Sequence, residues 1–146
     1  MIPSLGKRRE PPPRPRPGEV YKKIVEARRL LELERWSPAD VAKMQSNFDD
    51  LGRDFPRLET TSKEDQAEIL SKALGEIKPE NYRGQYPPEP AREPAVRNQD
   101  MWEFRWNSPF FQGREMYVKF CFSRGDENSR RLFMLSLHRN RPVLTS

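Results

Sequence analysis

The segments MWEFRWN (101–107), REMYVKFCFS (114–123) and RRLFMLSLH (130–138) decide the fold. In the first, Trp102, Phe104 and Trp106 alternate with Glu103 and Arg105. In the second, Met116, Val118, Phe120 and Phe122 alternate with Tyr117, Lys119 and Cys121. In the third, Leu132 and Met134 alternate with Phe133 and Leu135, and the run closes on Ser136 and His138. A period of two is the signature of a strand, and one apolar face means a sheet packed on a core. The short turns between the runs predict an antiparallel meander. Pairing of these strands would set Glu103, Arg105, Tyr117, Lys119, Ser136 and His138 on one surface.

Upstream the period changes to that of helices. Val20, Ile24, Leu30 and Leu31 give an apolar stripe over 19–34. A second helix is predicted from Ser37 as N-cap, with Pro38 in the first turn and Asp40 at the capping-box position. Val41, Met44, Phe48 and Leu51 follow at helical steps, and Gly52 is placed to end it. In a third, Ser62 caps, Asp65 answers it, and Ile69, Leu70, Ala73, Leu74 and Ile77 form the buried stripe, with Gly75 and Pro79 marking the end. The expected fold is therefore α+β: N-terminal helices packed on a C-terminal three-stranded antiparallel sheet. Residues 1–18 form a Pro/Arg-rich leader expected to be disordered, and 19–146 a single domain. Residues 81–100 form a proline-rich connection, unusually long for a compact domain.

The composition limits the function classes. The 146 residues are 34% hydrophobic and 34% charged, so one domain with a small core is expected, not two. No apolar run is long enough for a membrane span and the start has no signal-peptide pattern, so a cytoplasmic, membrane-free protein is expected. The single Cys121 excludes an intramolecular disulfide and a cysteine metal site, and reads as a buried thiol. Net charge is +4 over 1–17, −3 over 18–100 and +4 over 101–146, so the strand region is basic. A basic sheet is the footprint of a polyanion partner. No phosphate-binding glycine loop and no zinc-ligand spacing is present; Asp49, Asp50 and Asp54 read as a helix end, not a cation loop.

From Glu19 onward the chain resembles the MqsR-type branch of the RelE-like toxin ribonucleases, over 50–142 best. The matching pieces are Asp50-Leu51-Gly52-Arg53-Asp54-Phe55, then Asn81-Tyr82-Arg83-Gly84, then Asp100-Met101-Trp102-Glu103, then Gly113-Arg114-Glu115-Met116-Tyr117-Val118-Lys119, and last Leu135-Ser136-Leu137-His138. Their order is more specific than any one of them. The resemblance implies a RelE-like fold, metal-independent endoribonuclease action on messenger or transfer RNA that blocks translation, and an antitoxin partner. It implies a catalytic set at Arg83, Glu103, Tyr117 and His138. Two positions depart from the family pattern, with Glu103 in place of an amide and His138 in place of Lys.

The chemistry asked of these residues is specific. RNA cleavage by the 2′-hydroxyl needs a base for that hydroxyl, an acid for the 5′-oxygen and cations at the phosphate. Glu103 is the candidate base. His138, the only histidine, is the candidate acid, because an imidazole changes charge near neutrality. Arg83 would grip phosphate oxygens in a fork, and Tyr117 would position the 2′-hydroxyl or stack on a base. Lys119, Arg105 and Arg114 would bind phosphate. No cofactor and no metal is called for. Two other readings share the fold: a binding module for RNA or protein that has lost catalysis, and the toxic tip of a secreted polymorphic toxin held by an immunity protein.

Overall fold

The computed structural model describes residues 15–59, 62–84, 99–123, 125–126 and 128–140. Most of the Pro/Arg leader and most of the proline-rich connection lie outside the described residues. Within them the order is α1 (Pro17–Glu32), β1 (Trp36–Pro38), α2 (Val41–Asp54), α3 (Lys63–Glu76), β2 (Trp102–Ser108), β3 (Arg114–Phe122) and β4 (Leu132–Arg139), with short 3-10 turns at Pro56–Leu58 and Pro79–Asn81. The helices and the sheet share one core. Ile24 and Leu30 of α1, Phe48 and Leu51 of α2 and Leu70 and Leu74 of α3 meet Phe104, Val118, Phe120, Met134 and Leu137 of the sheet.

The sheet has four strands, not three, in the order β1-β4-β3-β2. β2, β3 and β4 form the antiparallel meander, while β1 pairs in parallel with the start of β4, Trp36 opposite Leu132. Three residues are too few to show a period, so Ser37 and Pro38 looked like a helix start. The α2 N-cap is instead Asp40, whose carboxylate accepts from the Lys43 N–H at 3.0 Å. Pro38 fits an edge strand because it has no N–H to donate to a further ladder. Chain entry into β1 is set by a Schellman turn after α1. Arg35 N–H reaches the Leu30 carbonyl at 2.8 Å and Glu34 N–H that of Leu31 at 3.0 Å, with Glu34 in the left-handed region at φ 59°.

Helix boundaries follow backbone chemistry. α1 starts at Pro17, two residues before the expected 19, since proline is pre-organised for a first helical position. α2 does not stop at Gly52 but runs to Asp54, where Phe55 precedes Pro56 and is driven out of the helical region. α3 begins as expected, with Ser62 Oγ accepting from Asp65 N–H at 3.1 Å. Its C-terminal carbonyls are met by Arg28 of α1, whose Nε donates to the Leu74 carbonyl at 2.6 Å. The Glu76 carboxylate then ties the end of α3 to the β2–β3 turn. It accepts from Trp106 Nε1 at 2.9 Å, from Phe110 N–H at 3.0 Å and from the buried Ser108 hydroxyl.

One irregularity controls which side chains share a face. Phe120 pairs with Met134 and Lys119 with Ser136, so Leu135 is an extra residue in β4. A strict period of two from Leu132 and Met134 would carry Ser136 and His138 into the core. The bulge places two residues of β4 against one of β3, and beyond it Leu137 is the inward residue, fully buried. Past the end of β1, the main-chain N–H of Leu137 is taken by Asn47 of α2, whose Oδ1 accepts it at 2.7 Å. Asn47 is itself buried. Truncating it in Asn47→Ala leaves a buried N–H without its acceptor. The expected loss is about 1–3 kcal/mol, read as a lower urea midpoint at unchanged slope.

Candidate functional site

The outward face of the meander is organised in cross-strand rows. Tyr82 bridges Phe104, and the Arg83 N–H donates to the Glu103 carbonyl at 2.7 Å, so Arg83 extends the row across the sheet. The first row runs Arg83, Glu103, Lys119, Ser136; the second runs Arg105, Tyr117, His138; the third runs Asn107, Glu115, with Asn140 beyond β4 hydrogen-bonded to Glu115. Directly opposed side chains in such rows are neighbours, so residue type along a row decides the local chemistry. The six residues expected on one surface are all on it.

Tyr117 is the hub. Its phenol donates to the Glu103 carboxylate, and its ring stacks on the His138 imidazole with centroids 5.0 Å apart at 23°. The Arg105 guanidinium lies 6.0 Å over the same Tyr117 ring. His138 Nδ1 is 2.8 Å from the carbonyl oxygen of Arg139. A carbonyl only accepts, so Nδ1 carries a proton and Nε2 is the nitrogen left to exchange one. Glu103, Tyr117 and His138 are half-buried, while Lys119 and Ser136 between them are buried. A carboxylate, a phenol and an imidazole thus form one connected unit beside a buried ammonium, with Glu103 and His138 on either side of the phenol.

Two expected members stand differently. Arg83 is opposite Glu103 by register, but its guanidinium turns back on its own turn. Nη1 donates to the Glu80 and Tyr82 carbonyls at 3.2 and 3.0 Å, on an exposed side chain. Arg114 pairs with Ser108, the parity of the core-facing residues, and is exposed at the strand start, so it does not join the polar face. Trp102 and Trp106 are buried core residues, and Trp102 packs on Tyr82 at 5.7 Å between centroids.

The structure adds residues that the sequence reading left out. Arg139 fixes His138 through its carbonyl and places its guanidinium 3.7 Å from the Asp54 carboxylate of α2. The Asn140 amide donates to the Glu115 carboxylate. A cleft of about 250 Å³ opens beside His138, lined by Asp50, Leu51, Asp54, His138, Arg139 and Asn140. Its signal in the sequence is the four-residue spacing of Asp50 and Asp54, which puts both on one helix face. Among the described residues no group of three or more His, Cys, Asp or Glu is placed to hold a metal ion.

At the other end of this face the surface turns apolar, where Met101, Cys121 and Leu135 cluster against Ala39 and Phe133. Burial pushes the Cys121 thiol from 9.0 up to about 12, with the Lys119 charge acting in the opposite sense. The fold therefore favours the protonated thiol. That contribution is present in full below pH 9.0 and is lost as pH rises toward about 12. Between about pH 9 and about pH 11 the urea midpoint of the native protein is expected to fall more than that of Cys121→Ala. In the folded chain a thiol reagent at neutral pH is expected to leave Cys121 unmodified until denaturant is added.

No protein-family model matches this chain, no curated protein matches it, and no solved structure matches it. Among the described residues no helix is long and apolar enough to cross a membrane.

Proposed function

We propose that this chain is an endoribonuclease of the RelE-like toxin kind, which cleaves RNA by 2′-hydroxyl attack without a metal ion and so arrests translation and growth. The observation that carries the reading is the junction at Tyr117, which ties the Glu103 carboxylate to the His138 ring on one face of the sheet. The α+β architecture and the ordered motifs at Arg83, Glu103, Tyr117 and His138 support it further. In this reading Glu103 takes the proton of the 2′-hydroxyl and the 2′-oxygen attacks phosphorus. The bond from phosphorus to the 5′-oxygen breaks, and His138 Nε2–H protonates that oxygen. The products are a 2′,3′-cyclic phosphate and a 5′-hydroxyl. Tyr117 orients the carboxylate, and Lys119 and Arg105 supply positive field where charge builds on phosphorus. Arg83 begins on its own turn's carbonyls and would swing to a phosphate once RNA is bound. Such a toxin requires an antitoxin or immunity protein as partner.

A second reading, a binding module without catalysis, is favoured by the occupation of the Glu103 carboxylate by the Tyr117 hydroxyl. The two are separated by incubating purified protein with short RNA in excess chelator. Cleavage to cyclic-phosphate ends is expected, slowed about 10²–10⁴-fold in Glu103→Gln and in His138→Ala. Both variants should keep the native far-ultraviolet circular dichroism. Intact RNA with native protein, together with tight RNA binding, would replace the nuclease by the binding module.

A further inference from the structure

His138 and Arg139 are neighbours at the end of β4 and project to opposite sides of the sheet. His138 pairs with Tyr117 of the outward face, and Arg139 pairs with Met116, which is in the core. β1 follows β4 only as far as Met134, so this end of β4 has β3 on one side and no described strand on the other. The Asn140 N–H donates to the Glu115 carbonyl of β3 at 2.9 Å. The C=O and N–H of one trans peptide point in opposite directions, so the Arg139 carbonyl turns away from β3. It is this carbonyl, on the strandless edge, that lies 2.8 Å from His138 Nδ1. Strand ends fray, so a carbonyl there can hold a ring only if its own residue is restrained. The restraint comes from the helical side of the sheet. The Arg139 guanidinium lies 3.7 Å from the carboxylate of Asp54, the last residue of α2, with side chains 34% and 18% exposed. α2 is itself fixed on the sheet, through Phe48 and Leu51 in the core and through Asn47 on the Leu137 N–H.

From these contacts we infer that Asp54 is a positioning residue for His138, acting through Arg139; the inference rests on the nuclease reading for its catalytic consequence. Asp54 holds the guanidinium, the guanidinium steadies the Arg139 backbone, and the Arg139 carbonyl keeps a proton on Nδ1. Asp54 touches no reacting atom. A neutral imidazole carries one proton, and the hydrogen bond made by one nitrogen decides the state of the other. With Nδ1–H donated to the carbonyl, the neutral ring has its lone pair on Nε2. That nitrogen can then give a proton to the 5′-oxygen and recover one. The other tautomer would set the Nδ1 lone pair against the carbonyl oxygen, which is unfavourable as long as that carbonyl stays in place. An ion pair as exposed as Arg139–Asp54 adds little to global stability. Its effect is therefore expected on the ring and not on the unfolding midpoint.

His138 is the only histidine, so protein labelled with nitrogen isotope at histidine gives a single imidazole pattern in long-range proton–nitrogen spectra. The tautomer is read from the two ring nitrogen shifts at a pH where the ring is neutral. Native protein is expected to show Nδ1–H. Asp54→Asn and Arg139→Gln are each expected to move the ring toward Nε2–H, and the double variant to move it no further than either single one. Asp50→Asn removes a carboxylate that also lines the cleft beside His138 but pairs with Arg53, and is expected to leave the tautomer native. A native ring in the Nε2–H form overturns the inference. So does an unchanged ring in Asp54→Asn, or an equal shift in Asp50→Asn, which would make the cause the local field and not the tether. On RNA, Asp54→Asn is expected to lower kcat roughly tenfold at unchanged KM, and Asp54→Glu to recover it. Absence of cleavage by native protein defeats the nuclease reading alone, because the tautomer series needs no RNA. Should Asp54→Asn not fold, the pair Arg139→Lys, expected to keep the native ring, and Arg139→Gln, expected to lose it, decides the same question; equal rings in the two overturn the inference.

Discussion

The side of the sheet on which the imidazole stands depends on Leu135, the residue in β4 that has no partner in β3. Between the inward pairs Val118–Leu137 and Phe120–Met134, β3 has one residue and β4 has two. The apolar effect enforces this. A regular ladder would exchange Leu137 for Ser136 and His138 in the core. Burying a leucine side chain is worth about 1.5–3 kcal/mol, whereas a buried imidazole or hydroxyl must find partners there. The bulge keeps Met134 and Leu137 inward together and lets Leu135 cover the Cys121 end of the outward face. A one-residue register change inverts every later side chain, so the row linking Tyr117 and His138 follows from that single insertion.

Other elements hold this arrangement from the edges. β1 pairs only with the first part of β4, and Asn47 continues its hydrogen-bonding role where β1 ends. On the far side, the Tyr82 bridge closes over β2 and brings the Arg83 backbone to Glu103. Glu76 fixes the β2–β3 turn against α3, which holds the register of the two strands that carry Glu103 and Tyr117. Salt bridges do less. The pair Arg130–Glu26, 2.8 Å apart and part-buried, anchors the start of β4 to α1, but the hydrogen bonds to backbone groups carry the geometry.

The site has two neighbouring compartments with different electrostatics. The sheet face sets Lys119 opposite the Glu103 carboxylate and Arg105 over the Tyr117 ring, while the Arg83 guanidinium stays on its own turn. The cleft under α2 is lined by the carboxylates of Asp50 and Asp54 together with His138, Arg139 and Asn140. His138 stands between them with its tautomer fixed by its neighbour's carbonyl.

The alternation in 101–107 and 114–123 was enough to define β2 and β3 and to put Glu103, Arg105, Tyr117 and Lys119 on one face, while the register that sets Glu103 opposite Lys119 and Arg105 opposite Tyr117 comes from the structure. The apolar stripes and the Ser62 cap defined α3 in the same way. Even the bulge left a trace, since the polar Ser136 and His138 fall at the sequence parity of the apolar Leu132 and Met134. Tertiary structure decided the rest. β1 is too short for a local pattern and exists because β4 offers it a free edge. The direction of the Arg83 guanidinium is set by carbonyls of its own turn, a competition that residue type does not reveal. The cleft joins Asp50 and Asp54 to Arg139 and Asn140, groups far apart in the chain that only the packing of α2 against β4 could bring together.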